Sequence, residues 1–160
     1  MMSLTSKNLE TFIAENEILA EILILQEPTP TVLAAAEVLG VAPEQILKSV
    51  LFLADGEPVI VVANGLSRLD SKALADYLGV SRRRVKIGNA EKVLAITGYV
   101  AGSVPPFGYL QPIRTVVETA VSELPYTHIY GGGGDVNALL KLTFVQLQKV
   151  VGTETAVLKE

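Results

Sequence analysis

Two strand-like runs, Ser49–Ala54 and Pro58–Ala63, flank the dipeptide Asp55-Gly56. Asp-Gly between two β-rich runs is the signal of a tight hairpin. Both runs are almost continuously apolar, where a half-exposed strand would alternate. A strand of that kind must be covered on both faces, so the pair is expected at the centre of a sheet. That requirement fixes most of what the rest of the chain has to do, since helices or further strands must lie above and below it. Lys48 stands at the start of the first run, and no other charge lies between it and Asp55.

A second stretch, Gly98-Tyr-Val-Ala-Gly-Ser-Val-Pro-Pro-Phe-Gly108, can be neither helix nor central strand. Glycine permits backbone angles and close approaches that other residues resist. Pro105 and Pro106 remove two backbone donors and hold their predecessors extended. The remaining N–H groups of a stiff, irregular segment are free to face a ligand, although an ordinary surface loop has the same pattern.

Composition removes whole classes of function. With no cysteine, the chain has no disulfide, thiolate metal site or cysteine nucleophile. The single histidine, His128, excludes a multi-histidine metal site and is the only base a serine triad could use. It falls in an expected strand over Thr127–Gly131 and reads as structural. A net charge of −4 argues against a coat for nucleic acid, but not against a grip on one nucleotide end. The longest apolar runs are five residues, against the ~20 of a membrane helix. The N-terminal residues lack a signal-peptide core, which points to a cytoplasmic protein without a membrane partner.

The remaining elements follow from caps and periodicity. Ser6 is expected to cap a helix over Lys7–Asn16, followed by a strand within Ile18–Leu25. Thr31 is expected to cap Val32–Leu39, which Gly40 ends, with a short turn at Pro43. Asp70 caps Ser71–Leu78, with Leu74, Tyr77 and Leu78 inward. Asn89 caps a helix to Thr97, after a short strand near Ile87. Strands follow at Thr115–Glu118 and Leu139–Leu142, with a tight loop at Gly131–Gly134. Thr143 and Gln146 suggest a capping box for the last helix. Residues 153–160 read as a loose tail on one domain spanning 1–160. Hairpins interleaved with short helices favour an α+β fold with a mixed, strongly curved sheet over a doubly wound parallel one.

The motif Gly98-x-x-x-Gly102-x-x-Pro105-Pro106-Phe107-Gly108 resembles the signature of the YbaK/prolyl-tRNA-synthetase-associated editing domains. Thr31–Gly40 is similar to that family's first helix, and Pro43–Ser49 to the approach to its key lysine. Arg68–Lys72 is similar to its mid-chain basic-acidic motif. The resemblance covers about residues 31–152. It implies a mixed sheet curled toward a barrel, surrounded by short helices, with a pocket between. It also implies hydrolysis of a mischarged tRNA carrying a small amino acid (Cys-tRNA(Pro)- or Ala-tRNA(Pro)-type), without cofactor or metal. The implied partners are the aminoacylated tRNA acceptor end and prolyl-tRNA synthetase.

Each candidate has a plain structural alternative. Lys48 is either a snorkelling lysine at a strand end or an ammonium at a pocket mouth, the catalytic position under the resemblance. Gly102, Ser103, Pro106, Phe107 and Gly108 would hold the substrate on one side. Gly131, Gly132 and Gly133 would form a second backbone wall. That glycine run lacks the Gly-Lys-Ser/Thr of a phosphate loop and the order of a dinucleotide site. Thr31 and Ser103 are candidate polar pocket groups without a base beside them. Lys72 is a candidate contact for the acceptor end, although Ala73 replaces the second lysine the family often has. Arg82–Arg84 with Lys86 reads as a solvated edge that discourages strand pairing, and nucleic-acid backbone contact is its minor alternative. The main rival to catalysis is a binding module for an aminoacyl-tRNA end, a small ligand or a synthetase. A nucleotide-binding loop at Gly131–Gly134 is a third.

Overall fold

A computed structural model describes residues 3–160. The central hairpin forms as the sequence demands. β2 (Leu47–Ala54) and β3 (Glu57–Asn64) pair antiparallel from Leu47↔Asn64 to Ala54↔Glu57. Asp55 and Gly56 both take positive φ, 52° and 83°, the geometry that matches a two-residue turn to strand twist. The hairpin lies inside a five-stranded mixed sheet. β4 (Val85–Ile87) is antiparallel to β2, β5 (Arg114–Glu118) parallel to β3, and β8 (Thr155–Ala156) parallel to β5.

A second sheet of three antiparallel strands has β7 (Ala138–Leu142) between β1 (Ala20–Ile24) and β6 (Ile129–Gly132). The fold is therefore mixed α+β, as expected. Among the described residues the strands divide into two open sheets, linked by a parallel bridge between Ile46 and Tyr130. Closure into the expected barrel-like sheet is not seen.

Side chains alternate across β2 and β3 into two apolar layers. Leu47, Leu51, Ile60 and Val62 meet Ile129, Leu140 and Leu142 of the smaller sheet. Leu9 of α1 (Ser6–Glu15) and Leu147 of α6 (Phe144–Val151) complete that layer. On the opposite face Phe52, Ala54, Val59 and Val61 pack on Leu74 and Ala75 of α3 (Ser71–Leu78). A smaller cluster seats Ala35 and Ala36 of α2 (Val32–Leu39) on Ile46, Tyr130 and Leu139. Two further helices, α4 (Ala90–Thr97) and α5 (Thr119–Ser122), flank β5 in sequence. No helix among the described residues is long and apolar enough to cross a membrane.

Several local expectations are corrected. Thr5, not Ser6, caps α1, and Asn8 returns a contact to the Thr5 amide at 2.8 Å. Thr143 caps α6, but the Gln146 side chain does not close the box. It is buried and accepts from the Leu19 amide at 3.0 Å, tying α6 to the entry of β1. Tyr77 is exposed and donates to Glu154, leaving Ala75 as the inward partner of Leu74. Gly131 and Gly132 belong to β6 instead of a loop, and Thr127 and His128 precede the strand.

Residues 153–160 are not loose. β8 pairs with β5, Leu158 is 1% exposed, and its amide donates to the buried Glu118 carboxylate at 2.7 Å. The signal was too short to see, since a two-residue strand and one leucine have no periodicity. Leu158→Ala should lower stability by about 3 kcal/mol, the usual size of a buried leucine truncation. A denaturant titration checks it; an unchanged midpoint would return the segment to a passive tail.

Candidate active site

Lys48 lies near the end of the β2–β3 ladder, opposite Ala63. Deeper in the hairpin an ammonium would be stranded between apolar layers. At the end of the ladder it is half-buried, with its stem against the sheet. Its Nζ donates to the carbonyl of Ser67 at 2.5 Å. Burial holds the Lys48 pKa below the ordinary lysine value. A carbonyl contact takes one of three ammonium donors and leaves two for a ligand.

Beside it is a cleft of about 230 Å³. Among the described residues Lys48 is the only charged one lining it, and Leu47, Ser49, Ile46, Val104 and Leu139 form much of the rest. The N-terminal end of α2 contributes Thr31 and Val32. Thr31 Oγ1 accepts from the Ala34 amide at 3.0 Å, so its hydroxyl proton is free to serve as a donor. The partial positive charge of a helix start and the ammonium both favour an electron-rich group here. Gly102 sits exposed at the rim, and Gly131 and Gly132 supply backbone to the opposite wall.

The glycines of β6 have a specific cause. A Cβ on Gly132 would collide with the carbonyl of Val104 and lie 3.1 Å from that of Ser103. A Cβ on Gly131 would come 3.3 Å from Pro106 Cδ. The irregular stretch from 98 to 108 is therefore laid directly on β6, and only a strand without side chains there admits it. Further bonds hold it in place. Ser103 accepts from the Gly134 amide at 3.0 Å, Tyr99 Oη donates to Gly108 at 3.2 Å, and Tyr109 Oη donates to Pro105 at 2.6 Å. Burial pushes the Tyr99 pKa up to about 12 and that of Tyr109 higher still, so both stay protonated donors.

Of the residues expected at the site, Lys48, Thr31, Gly102, Gly131 and Gly132 are brought together. The others lie elsewhere. Ser103 is 2% exposed and its hydroxyl is spent on Val100 at 2.7 Å. Pro106 braces Gly131 from behind and opens on a separate apolar groove of about 300 Å³. Phe107 is buried and stacks on Phe12 with ring centroids 5.8 Å apart. Gly108, at φ +85°, turns its open side toward Leu9 and Phe12. Gly133 packs against the backbone of Ala138 and Leu139.

Lys72 is on the exposed face of α3, paired with Asp76 at 3.2 Å. His128 is exposed at an open depression on another face, with Lys141 and Gln146. Sequence reasoning missed Ser67, Ser49, Val104 and Leu139. Asn64-Gly65 is a turn signal that could have pointed to this segment, but such a pair does not show where the carbonyls of the turn point.

Gly132→Ala should therefore lower stability by about 1–3 kcal/mol, the range for overpacking, and displace the 103–106 segment from the cleft. Thermal melting with the backbone amide shifts of Gly102, Ser103 and Val104 checks it. A variant that melts normally with those shifts unmoved would show that the contact is not tight.

Comparison with known proteins gives a consistent set of likenesses. Residues 26–150 match the model of the aminoacyl-tRNA editing domain. A proline–tRNA ligase of Desulfotalea psychrophila is 32% identical over 127 residues, covering 79% of this chain and 21% of the ligase. The chain thus spans about a fifth of the length of that relative. The uncharacterized protein YwhH of Bacillus subtilis is 29% identical over 120 residues, 74% of this chain and 73% of its own. A crystal structure of a candidate trans-editing enzyme for prolyl tRNA synthetase superposes with a TM-score of 0.89 at 25% identity, covering 100% of this chain and 99% of its own.

Proposed function

Because the chain belongs to the aminoacyl-tRNA editing domain family, we propose that it is a trans-editing deacylase, hydrolysing the ester that joins a small, wrongly attached amino acid to tRNA. The observation that carries this reading is the anchored Lys48 ammonium beside a small, otherwise uncharged cleft with a glycine backbone wall. An aminoacyl ester is already activated, so its hydrolysis needs positioning, a water and stabilisation of the developing oxyanion more than a strong nucleophile. The water oxygen attacks the carbonyl carbon, the carbon–oxygen bond to the ribose breaks, and the ribose oxygen leaves with a proton. Lys48 either polarises that carbonyl or holds the terminal nucleotide.

The cleft volume supports a small amino acid. At about 230 Å³ it is below the ~300–1,000 Å³ of common small-molecule pockets. Its walls are strands and a capped helix, which would reject large side chains by exclusion. Alanine or cysteine on tRNA(Pro) is the substrate type we infer, with prolyl-tRNA synthetase as the enzyme whose errors are corrected. The proposed hydrolysis uses no metal. Among the described residues no group of three His, Cys, Asp or Glu side chains is placed to hold one.

Deacylation assays over a panel of tRNAs mischarged with small amino acids test the reading. Lys48→Ala should fold normally and lose about a hundredfold in rate, equivalent to ~3 kcal/mol of transition-state stabilisation. A wild-type rate in that variant would remove Lys48 from the mechanism, and tight binding without turnover by the native protein would make the domain a binding module. The native rate should also be unchanged in EDTA. Loss of activity restored by a divalent ion would replace this mechanism with a metal-assisted one.

A further inference from the structure

Asn64 ends β3 opposite Leu47, one position beyond the Lys48–Ala63 pair. Its Oδ1 accepts from the amides of Leu66 at 2.9 Å and Ser67 at 3.1 Å. An asparagine side chain that takes the amides two and three residues ahead imposes a tight turn on the backbone. The outcome is that Ser67 presents its carbonyl to Lys48 Nζ. The turn is pinned on both sides. The Gly65 amide donates to Ile46 in the cleft wall at 2.6 Å. On the far side the Asp70 amide donates to Leu158 at 2.7 Å and the Glu160 amide to Arg68 at 2.8 Å. Leu158 is itself fixed by the buried Glu118 carboxylate.

A free lysine side chain has many rotamers to lose when it is held in one place. A carbonyl held in place from three directions removes much of that freedom before a substrate arrives. We propose that Asn64 is a positioning residue for Lys48, acting through the Ser67 carbonyl, and that residues 158–160 hold the far limb of the same turn. The proposal rests on Lys48 being the substrate-contacting group. It also accounts for the Arg68–Lys72 motif, whose first residues form the limb gripped by the C-terminal segment and whose Asp70 caps α3.

The test compares Asn64→Ala with Asn64→Asp, which keeps a carboxylate oxygen at the accepting position. Two readouts are needed. One is deacylation, separated into kcat and KM. The other is the proton–nitrogen correlation signal of the Lys48 ammonium in nitrogen-15-labelled protein, assigned by its absence in Lys48→Arg. In the native protein the held ammonium should exchange slowly enough to be seen. Asn64→Ala should lose that signal and lower kcat by about tenfold, within the range that misplacement of a reacting group costs, with KM little changed. Asn64→Asp should restore both.

Retention of signal and rate in Asn64→Ala would overturn the proposal. So would equal losses in the Ala and Asp variants, which would mark a packing role. Should Asn64→Ala not fold, deletion of Lys159 and Glu160 takes its place. That change removes the Arg68 contact and no core side chain, and should broaden the Lys48 signal; an unaltered signal and rate would overturn the proposal equally. If the native protein hydrolyses no mischarged tRNA, the functional reading fails, while the ammonium signal still decides whether Asn64 positions Lys48.

Discussion

A strand pair buried on both faces has no place for a charge except at its ends. β2 and β3 are such a pair, with Phe52, Ala54, Val59 and Val61 on one side and Leu47, Leu51, Ile60 and Val62 on the other. Their backbone groups are consumed by the ladder, and their side chains by two apolar layers. Lys48 occupies the boundary where the layers stop and a turn begins. Its partial burial and lowered pKa follow from that position, and the Ser67 carbonyl compensates it there. The remainder of the molecule is arranged to cover the hairpin and leave that end open.

The second constraint is one of closeness. The segment from Gly98 to Gly108 has few partners of its own and gains its shape by lying on β6. Gly131 and Gly132 are absences that allow this contact, so one stretch of the cleft wall is bare backbone. A wall of that kind presents polar groups in fixed positions without side-chain freedom, as the proposed deacylation requires. Phe107 and Gly108 serve the same end from behind, by locking the segment to α1 through Phe12 and Leu9.

The smaller sheet and the C-terminal segment brace the two sides of this arrangement. Gln45 donates to the carbonyl of His128 at 3.0 Å, and Gln146 holds Leu19. Among the described residues no buried side-chain nitrogen or oxygen lacks a partner. Buried polar groups such as Glu118 and Gln146 therefore act as fasteners between segments far apart in sequence, each satisfied at a backbone amide.

By itself the sequence determined the elements whose causes are local. The Asp-Gly hairpin, the caps at Thr31, Asp70, Asn89 and Thr143, and the stops at Gly40, Gly79 and Gly98 are all set by residues within a few positions of one another. It also determined that Lys48 would stand at a strand end and that its chemistry would not involve a thiolate. Tertiary structure decided which residues share the cleft. Ser103, Phe107 and Gly108 belong to the same motif as Gly102, yet a tight bend turns them into the core while Gly102 stays at the rim. Lys72 lies only five residues from Ser67, but a helix start sends it outward. The grip of residues 158–160 on the 64–70 turn was likewise invisible. Two hydrogen bonds between segments ninety residues apart leave no periodicity, and only folding brings them into contact.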